Sequence, residues 1–570
     1  MMVDLRIKNG NVYNTFLRAF QQKDVYIKDG RFLHLSDQEE NSLTAKRTIN
    51  VSGMFVVPGL IDCHMHIESS MTVPTRFSRE ALKHGVTTVV ADPHEIANVF
   101  GLEGIKAFMN QTTQLDIFYG IPSSVPATSE SIETTGGSIG ISEIEEMLAM
   151  DKVVCLGEVM NFNDLISSKT TPTQEIIRLV EAKAPHMPIE GHCPKISGLD
   201  LSRLIFQGVD ADHTQQTPES IYEKITNGMF LEIQGKSITR ETIQMLLKHP
   251  FQDAFALVTD DVMADHLLTG HLNGILRKAM EAGMPVEQAI YAATYTPAKR
   301  MRLDDRGVIA PGKIADFIVL SNLDAFEIHQ VYKKGNPLDE LDENVEPAKF
   351  PAYFYDSVKC RVLELDDLKI PAGDRKTVTV NAMGIQKIGT FTQHITQELA
   401  VVNGYLDWET SNLSLILVME RYGKTGEVGY GFVVNALTEK GAIATTWSHD
   451  HHNLMVMGTN ASDMLLAQKR VLELKGGYVV VRNGGILAEV SLEVGGIVSE
   501  QPIPRLGRQL KEVRQAMIDL GYRNTNEVMS FSTLSLPVSP EIKITDKGMI
   551  DTRSQKWIPL ILEDENETLD

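Results

Sequence analysis

Two hydrophobic textures alternate along the chain. Residues 3–57 carry short period-two runs broken by turn pairs: Leu5-Arg6-Ile7-Lys8 leads into Asn9-Gly10, and Val25-Tyr26-Ile27 into Asp29-Gly30. Such alternation predicts half-buried strands, and Asn-Gly and Asp-Gly predict hairpin turns. Around residue 58 the texture changes. Compact apolar runs at 55–62, 86–92, 115–119, 153–158, 187–190, 208–212, 229–233 and 255–260 are separated by helical stretches. Eight strand–helix units in about 250 residues match a (β/α)8 barrel, whose reactive face lies at the carboxyl ends of the strands. Strand-and-turn text returns at Gly307-Val308-Ile309-Ala310-Pro311-Gly312. The expected organisation is therefore a small β domain (1–57 plus 305–345) split around a barrel at 58–304. An acidic, proline-bearing stretch at 339–351 reads as a linker. Residues 352–570 read as a further α+β domain. There, Val479-Val480-Val481 and the Gly-Gly pairs beginning at 476, 484 and 495 predict hairpins, and Leu506, Leu510, Val513, Met517 and Leu520 recur at helical spacing as a core stripe.

Composition narrows the class. At 570 residues the chain is too long for one core, and 43% hydrophobic with 6% aromatic residues is ordinary for a globular protein. A formal charge of −21 argues against nucleic acid, which requires clustered Lys and Arg. No apolar run is long enough to span a bilayer, so no membrane partner is expected. Met1-Met2-Val3-Asp4-Leu5-Arg6 lacks an apolar run of signal-peptide length. Four cysteines, Cys63, Cys155, Cys193 and Cys360, in so long a chain indicate a reducing cytoplasm. Strand alternation turns Cys63 and Cys193 away from the neighbouring histidines, as packing groups. A homodimer is the expected assembly, because two-fold dimers are the commonest oligomers.

Five of the eight strands end in a metal-type ligand. The first reads Asp62-Cys63-His64-Met65-His66, where the spacing of two puts both imidazoles on one face. Glu158 ends the fourth, His192 the fifth, His213 the sixth and Asp260 the eighth. Together they can hold two divalent ions bridged by Glu158, and mixed imidazole and carboxylate ligands suit Mn, Fe or Zn. Such ions generate hydroxide from water at neutral pH. Asp260 can orient it, take its proton and hand that proton to a leaving group. Glu68, two residues past His66, either supplies a proton near the metals or braces its loop. Asp261 either contacts substrate or fixes the turn after Asp260. Asp92 and His94 end the second strand, as a further metal site or an outer contact. The run Ser448-His449-Asp450-His451-His452-Asn453 either binds metal, closes over the barrel mouth near Asp92 and His94, or is a solvated turn.

Pro58-Gly59-Leu60-Ile61-Asp62-x-His64-x-His66, with Pro311-Gly312-Lys313-Ile314-Ala315-Asp316 far downstream, resembles the amidohydrolase superfamily. More narrowly, several segments resemble the adenine deaminase family: His64-Met65-His66-Ile67-Glu68-Ser69-Ser70, Asp92-Pro93-His94-Glu95, Gly157-Glu158-Val159-Met160-Asn161, Gly191-His192, Asp212-His213-Thr214, Thr259-Asp260-Asp261 and the 448–453 loop. The resemblance spans essentially the whole chain, including a C-terminal domain that most of the superfamily lacks. It implies hydrolysis of adenine to hypoxanthine and ammonia in purine salvage, with manganese or iron as the usual metal. It also implies that the ring takes a proton at N1 as C6 becomes tetrahedral, a step Glu68 could serve. Dihydroorotase-like and hydantoinase-like enzymes carry a carboxylated lysine where this chain has Glu158. Amino-sugar deacetylases have a glutamate there too, but their substrate-amide motif is missing beside His213. The alternative activity is hydrolysis of a cyclic amide or another aminated heterocycle at the same site. A purely binding protein on a dead barrel would have lost ligands, and all six are present.

Overall fold

Gly59 divides the first expected barrel strand in two. Phe55–Pro58 pairs in parallel with Met2–Asn14 and antiparallel with Phe317–Asn322. Leu60–Met65 instead opens the barrel. A Cβ at residue 59 would lie 2.3 Å from Thr87 Oγ1, so only glycine allows this close approach. The Gly59 N–H donates to the Asp316 carbonyl at 3.0 Å, which joins the two distant Pro-Gly motifs. The computed structural model describes residues 1–341 and 345–562. Residues 342–344 of the expected linker and 563–570 of the expected C-terminal domain lie outside the described residues.

The N-terminal strands and the strands at 317–337 form one eight-stranded sheet. Asn9-Gly10 makes no hairpin in it. Met2–Asn14 runs straight through, with a register shift between Ile7 and Gly10 and Asn9 at φ 61°. That is a bulge, which the same residue types favour as readily as a turn. The Asp29-Gly30 hairpin is present as expected, both residues at positive φ (51° and 70°).

The eight barrel strands are β1 (Leu60–Met65), β2 (Val86–Ala91), β3 (Asp116–Ile121), β4 (Val153–Val159), β5 (Ile189–Gly191), β6 (Ala211–Asp212), β7 (Phe230–Ile233) and β8 (Phe255–Leu257). They run parallel in two arcs, β1 to β5 and β6 to β8. The Asp210 N–H to Ile189 carbonyl bond (3.1 Å) joins the arcs on one side. On the other, a parallel bridge pairs Met65 with Asp260, and the Asp260 N–H donates to the His64 carbonyl at 3.2 Å. Several expected strands are shorter than their apolar runs; β2 and β8 lose their carboxyl ends, where Asp92 and Asp260 stand in the turns that follow.

Ile61, Cys63, Val90, Cys155, Ala256 and Val258 fill the barrel interior. Cys63 is a packing group but does not point away from the histidines. The register of β1 shifts between Asp62 and Met65. As a result Cys63 Sγ and His64 Nδ1 approach the same carboxyl, that of Glu232, at 3.5 and 3.6 Å.

Beyond residue 352 a nine-stranded sheet runs from Tyr405–Leu406 at one edge to Gly485–Ser491 at the other. The Gly-Gly pair at 484 joins two strands in a hairpin, with Asn483 and Gly484 at φ 52° and 75°, and the pair at 495 makes a minimal one, in which Val494 and Val498 exchange both backbone hydrogen bonds at 2.9 and 3.1 Å. The pair at 476 links helix Ala461–Leu474 to strand Gly477–Arg482, and the pair at 495 packs over Arg421. The expected apolar stripe is the buried face of helix Ile503–Asp519, which is tied to the barrel by Arg514 Nε and Asp265 Oδ2 at 2.6 Å. Among the described residues no helix is long and apolar enough to cross a membrane.

Replacing Gly59 by alanine forces a methyl into the Thr87 side chain. Overpacking of this kind costs roughly 1–3 kcal/mol, read as a lowered urea midpoint. Adding Thr87→Ala should recover part of the loss, because Oγ1 and Cγ2 are the closest clashing atoms. An unchanged midpoint in the single variant would contradict the close approach.

Candidate metal centre

Glu158, at the end of β4, is the hub of the barrel mouth and 4% exposed. Its Oε2 lies 2.9 Å from His192 Nδ1 and 3.2 Å from His213 Nε2, and those two nitrogens are 3.2 Å apart. Its Oε1 lies 3.5 Å from His66 Nε2, which is also 3.5 Å from Asp260 Oδ1. Donor atoms around a four-coordinate ion with bonds near 2.1 Å stand roughly 3.4 Å apart, so this spacing fits a bound divalent ion. His64, His66 and Glu158 offer one set of converging atoms, and Glu158, His192 and His213 another. His64 Nε2 is buried without a hydrogen-bond partner among the described residues, as a ligand atom awaiting an ion would be. The His64 ring stacks on that of His213, with centroids 3.9 Å apart.

Neighbouring groups fix the orientation of each donor. His66 Nδ1–H donates to the Asp92 carbonyl at 3.0 Å, which leaves Nε2 free to ligate. Asp92 Oδ2 accepts the Glu158 N–H at 2.8 Å, while its Oδ1 has no hydrogen-bond partner among the described residues and lies 3.6 Å from His94 Nδ1. That nitrogen is 3.7 Å from Glu158 Oε1. Asp260 lies beyond β8 in a left-handed turn at φ 62°. Gln234 Nε2 donates to its Oδ2 at 2.8 Å and to the His213 carbonyl at 2.9 Å. Asp212 Oδ1 accepts the N–H groups of Cys193 (3.0 Å) and Thr214 (3.1 Å), so one carboxylate holds the backbone just past both His192 and His213. Lys224 Nζ reaches Asp212 Oδ2 at 2.5 Å. Burial opposes the charge on Asp212, but Lys224 wins and lowers its pKa to about 2.

Glu68 makes one hydrogen bond and keeps its other oxygen uncommitted among the described residues. Oε1 accepts the Ile96 N–H at 3.2 Å and braces the helix His94–Met109 that follows β2. Oε2 is buried and has no hydrogen-bond partner among the described residues. Burial, with the nearby Glu95 charge, raises this carboxyl to about 7. Asp261 Oδ1 accepts the Ser69 hydroxyl at 2.6 Å and ties the β8 turn to the β1 turn, yet it still lies among the atoms converging with His66 and Asp260.

The 448–453 loop is buried against the mouth of the barrel, not solvated. Glu95 receives it, with His449 Nδ1 2.5 Å from Oε1 and His452 Nε2 on Oε2. Asp450 Oδ1 lies 3.2 Å from His449 Nδ1. His451 does not join them: its Nδ1 accepts the Asn453 N–H at 3.0 Å inside the loop.

Sequence reasoning assigned no role to β7. Glu232 and Gln234 are spaced by two on an otherwise apolar run, Phe230-Leu231-Glu232-Ile233-Gln234, and that spacing was the available signal. Asp212 with Lys224 could not be paired from sequence, because a β–α contact twelve residues apart leaves no periodic trace.

A barrel with histidines and carboxylates converging at its carboxyl-end mouth defines a metal-dependent hydrolase of the amidohydrolase kind. Residues 55–338 match the amidohydrolase family, and residues 389–556 match the adenine deaminase C-terminal domain. The adenine deaminase of Clostridium perfringens is 51% identical over 568 residues, covering 98% of this chain and 100% of that protein. Adenine deaminase 2 of Oenococcus oeni is 50% identical over 98% of this chain and 99% of its own length. Adenine deaminase 2 of Shouchella clausii is 45% identical over 99% of this chain and 100% of its own. The chain belongs to the adenine deaminase family.

Lys224→Met leaves Asp212 as an uncompensated buried carboxylate and should cost about 3–5 kcal/mol in urea unfolding. Adding Asp212→Asn should return much of it. The folded-state pKa of Asp212 is lowered, so its contribution is full above the ordinary carboxyl value of 3.8 and fades as the pH falls towards about 2. A loss below about 1 kcal/mol, the range of an exposed pair, would contradict the buried-pair account.

Proposed function

We propose that this chain is a metal-dependent aminohydrolase that converts adenine and water to hypoxanthine and ammonia. The observation that carries this reading is 45–51% identity to proteins named adenine deaminase over at least 98% of the chain. His64, His66, Asp260 and Glu158 would hold one divalent ion, and Glu158, His192 and His213 a second, which the converging atoms support. Manganese is the proposed metal, with iron or zinc also compatible with these ligands. Bound there, the ions would acidify water and so supply a hydroxide nucleophile at neutral pH.

The protein's own residues then move the protons. Asp260 takes the proton released as water attacks C6 and gives it to the departing ammonia. Gln234 holds its Oδ2 and keeps the carboxylate from turning away. Glu68, raised to about 7, can carry a proton near neutrality, pass it from Oε2 to N1 while Oε1 stays anchored at Ile96, and recover a proton from the C6 hydroxyl as the carbonyl forms and ammonia leaves. Asp92 and His94 support the hub from β2. Asp261 contributes mainly by tying the β8 turn to Ser69.

The domain division proposed is a β unit at 1–57 plus 305–345, the barrel at 58–304, and a C-terminal unit from 352. The four free cysteines support a reducing cytoplasm, and a cytoplasmic homodimer working in purine salvage is the proposed cellular form.

Ammonia release should be measured from adenine, adenosine, other purines and pyrimidines, and cyclic amides, beside metal content. Adenine should be the best substrate by far; preference for the nucleoside or for a cyclic amide would overturn the assignment. Asp260→Asn should keep its metal and lose roughly 10²–10⁴-fold in kcat. His64→Ala or His66→Ala should lose both metal and turnover, and full activity with full metal content in either would refute the site.

A further inference from the structure

We infer that His449 and His452 are positioning residues that clamp the Glu95 carboxylate, so that the C-terminal sheet supplies one wall of the reaction chamber. This rests on the proposed reaction and goes beyond it. Glu95 follows His94 at the start of helix His94–Met109 and is 1% exposed. Each of its oxygens receives a separate imidazole N–H, His449 Nδ1 on Oε1 and His452 Nε2 on Oε2. A carboxylate held on both oxygens cannot rotate.

The loop is aimed by its surroundings. Arg421, fully buried, donates to the His452 carbonyl, to the Gly495 carbonyl at 2.8 Å and to Ser357 Oγ at 2.9 Å. Tyr422 Oη donates to the His451 carbonyl at 2.6 Å, and Asn453 Nδ2 to the Thr134 carbonyl, in the segment after β3, at 2.9 Å. The contact is also more than adhesion between two bodies. Burying a carboxylate with two imidazoles incurs a large desolvation cost, and apolar side chains would hold two surfaces together without it. What the polar clamp adds is orientation, and it acts close to the hub. Glu95 Oε1 lies 3.7 Å from His94 Nε2, and His94 Nδ1 lies 3.7 Å from Glu158 Oε1.

The test uses full-length protein. His449→Leu and His452→Leu remove the donors. His449→Asn and His452→Gln keep an amide N–H near the position of the nitrogen each ring uses. The leucine variants should hold as much metal as the parent and lose up to about 10²-fold in kcat, the scale of a misplaced positioning group, with KM little changed. The amide variants should regain most of that loss. Leucine variants with parental kcat, or folded and metal-loaded amide variants as slow as the leucine ones, would overturn the inference. If the leucine variants do not fold, the amide variants decide alone: near-parental kcat supports the clamp, and its loss in a folded, loaded protein overturns it. A parent that leaves adenine untouched sinks the reaction and not the clamp. The clamp is then read from urea unfolding of Glu95→Gln, His452→Leu and their double variant, where additive losses overturn it and coupled losses support it.

Discussion

A carboxylate buried at the centre of the barrel mouth must be matched by charge or hydrogen bonds from every direction, and Glu158 imposes that requirement on the rest of the structure. An isolated buried charge is among the costliest features a fold can carry. Here the compensation comes from imidazoles after three other strands, β1, β5 and β6, while the Asp92 carboxylate after β2 holds the Glu158 backbone N–H. Those groups also compete with one another unless a cation joins them, since several carboxylates and histidines face one small volume. The same convergence therefore costs stability in the bare protein and provides affinity for a divalent ion.

A second layer of buried ion pairs holds this geometry in place. Asp212 with Lys224 fixes the two histidine turns of β5 and β6. Arg300 Nη2 meets Glu190 Oε1 at 2.8 Å beneath them in the barrel. Glu95 with His449 and His452 fixes the β2 side from another part of the chain. Such pairs add little net stability compared with apolar packing, but each permits only a narrow set of geometries. A site whose donors must stay within a few tenths of an ångström benefits from that restriction.

The histidines and carboxylates that converge at the barrel mouth were legible because polar residues closing apolar strands leave a local signature. His64 and His66 are two apart, and Glu158, His192, His213 and Asp260 each close an apolar run. The runs fixed the number and order of the barrel strands but not their ends. Apolar residues continue into turns wherever the turn is buried, so β8 stops at Leu257 although the run reaches Asp260. Asn9-Gly10 misled for a related reason: a bulge and a hairpin ask for the same positive-φ residues, and only the partner strand decides between them.

Sequence alone determined the eight-strand order, which histidines and carboxylates meet at the strand ends, and the family, because each is written in residue types at short spacing. Only the tertiary structure decided which face β1 presents after its register shift, that Glu232 and Gln234 look into the chamber, and that Asp212 rests on Lys224. It also decided that His449 and His452, and not His451, meet Glu95. These are contacts between residues distant along the chain or turned by a single bulge. Nothing in local spacing encodes them, because burial and charge compensation act through space after the chain has folded.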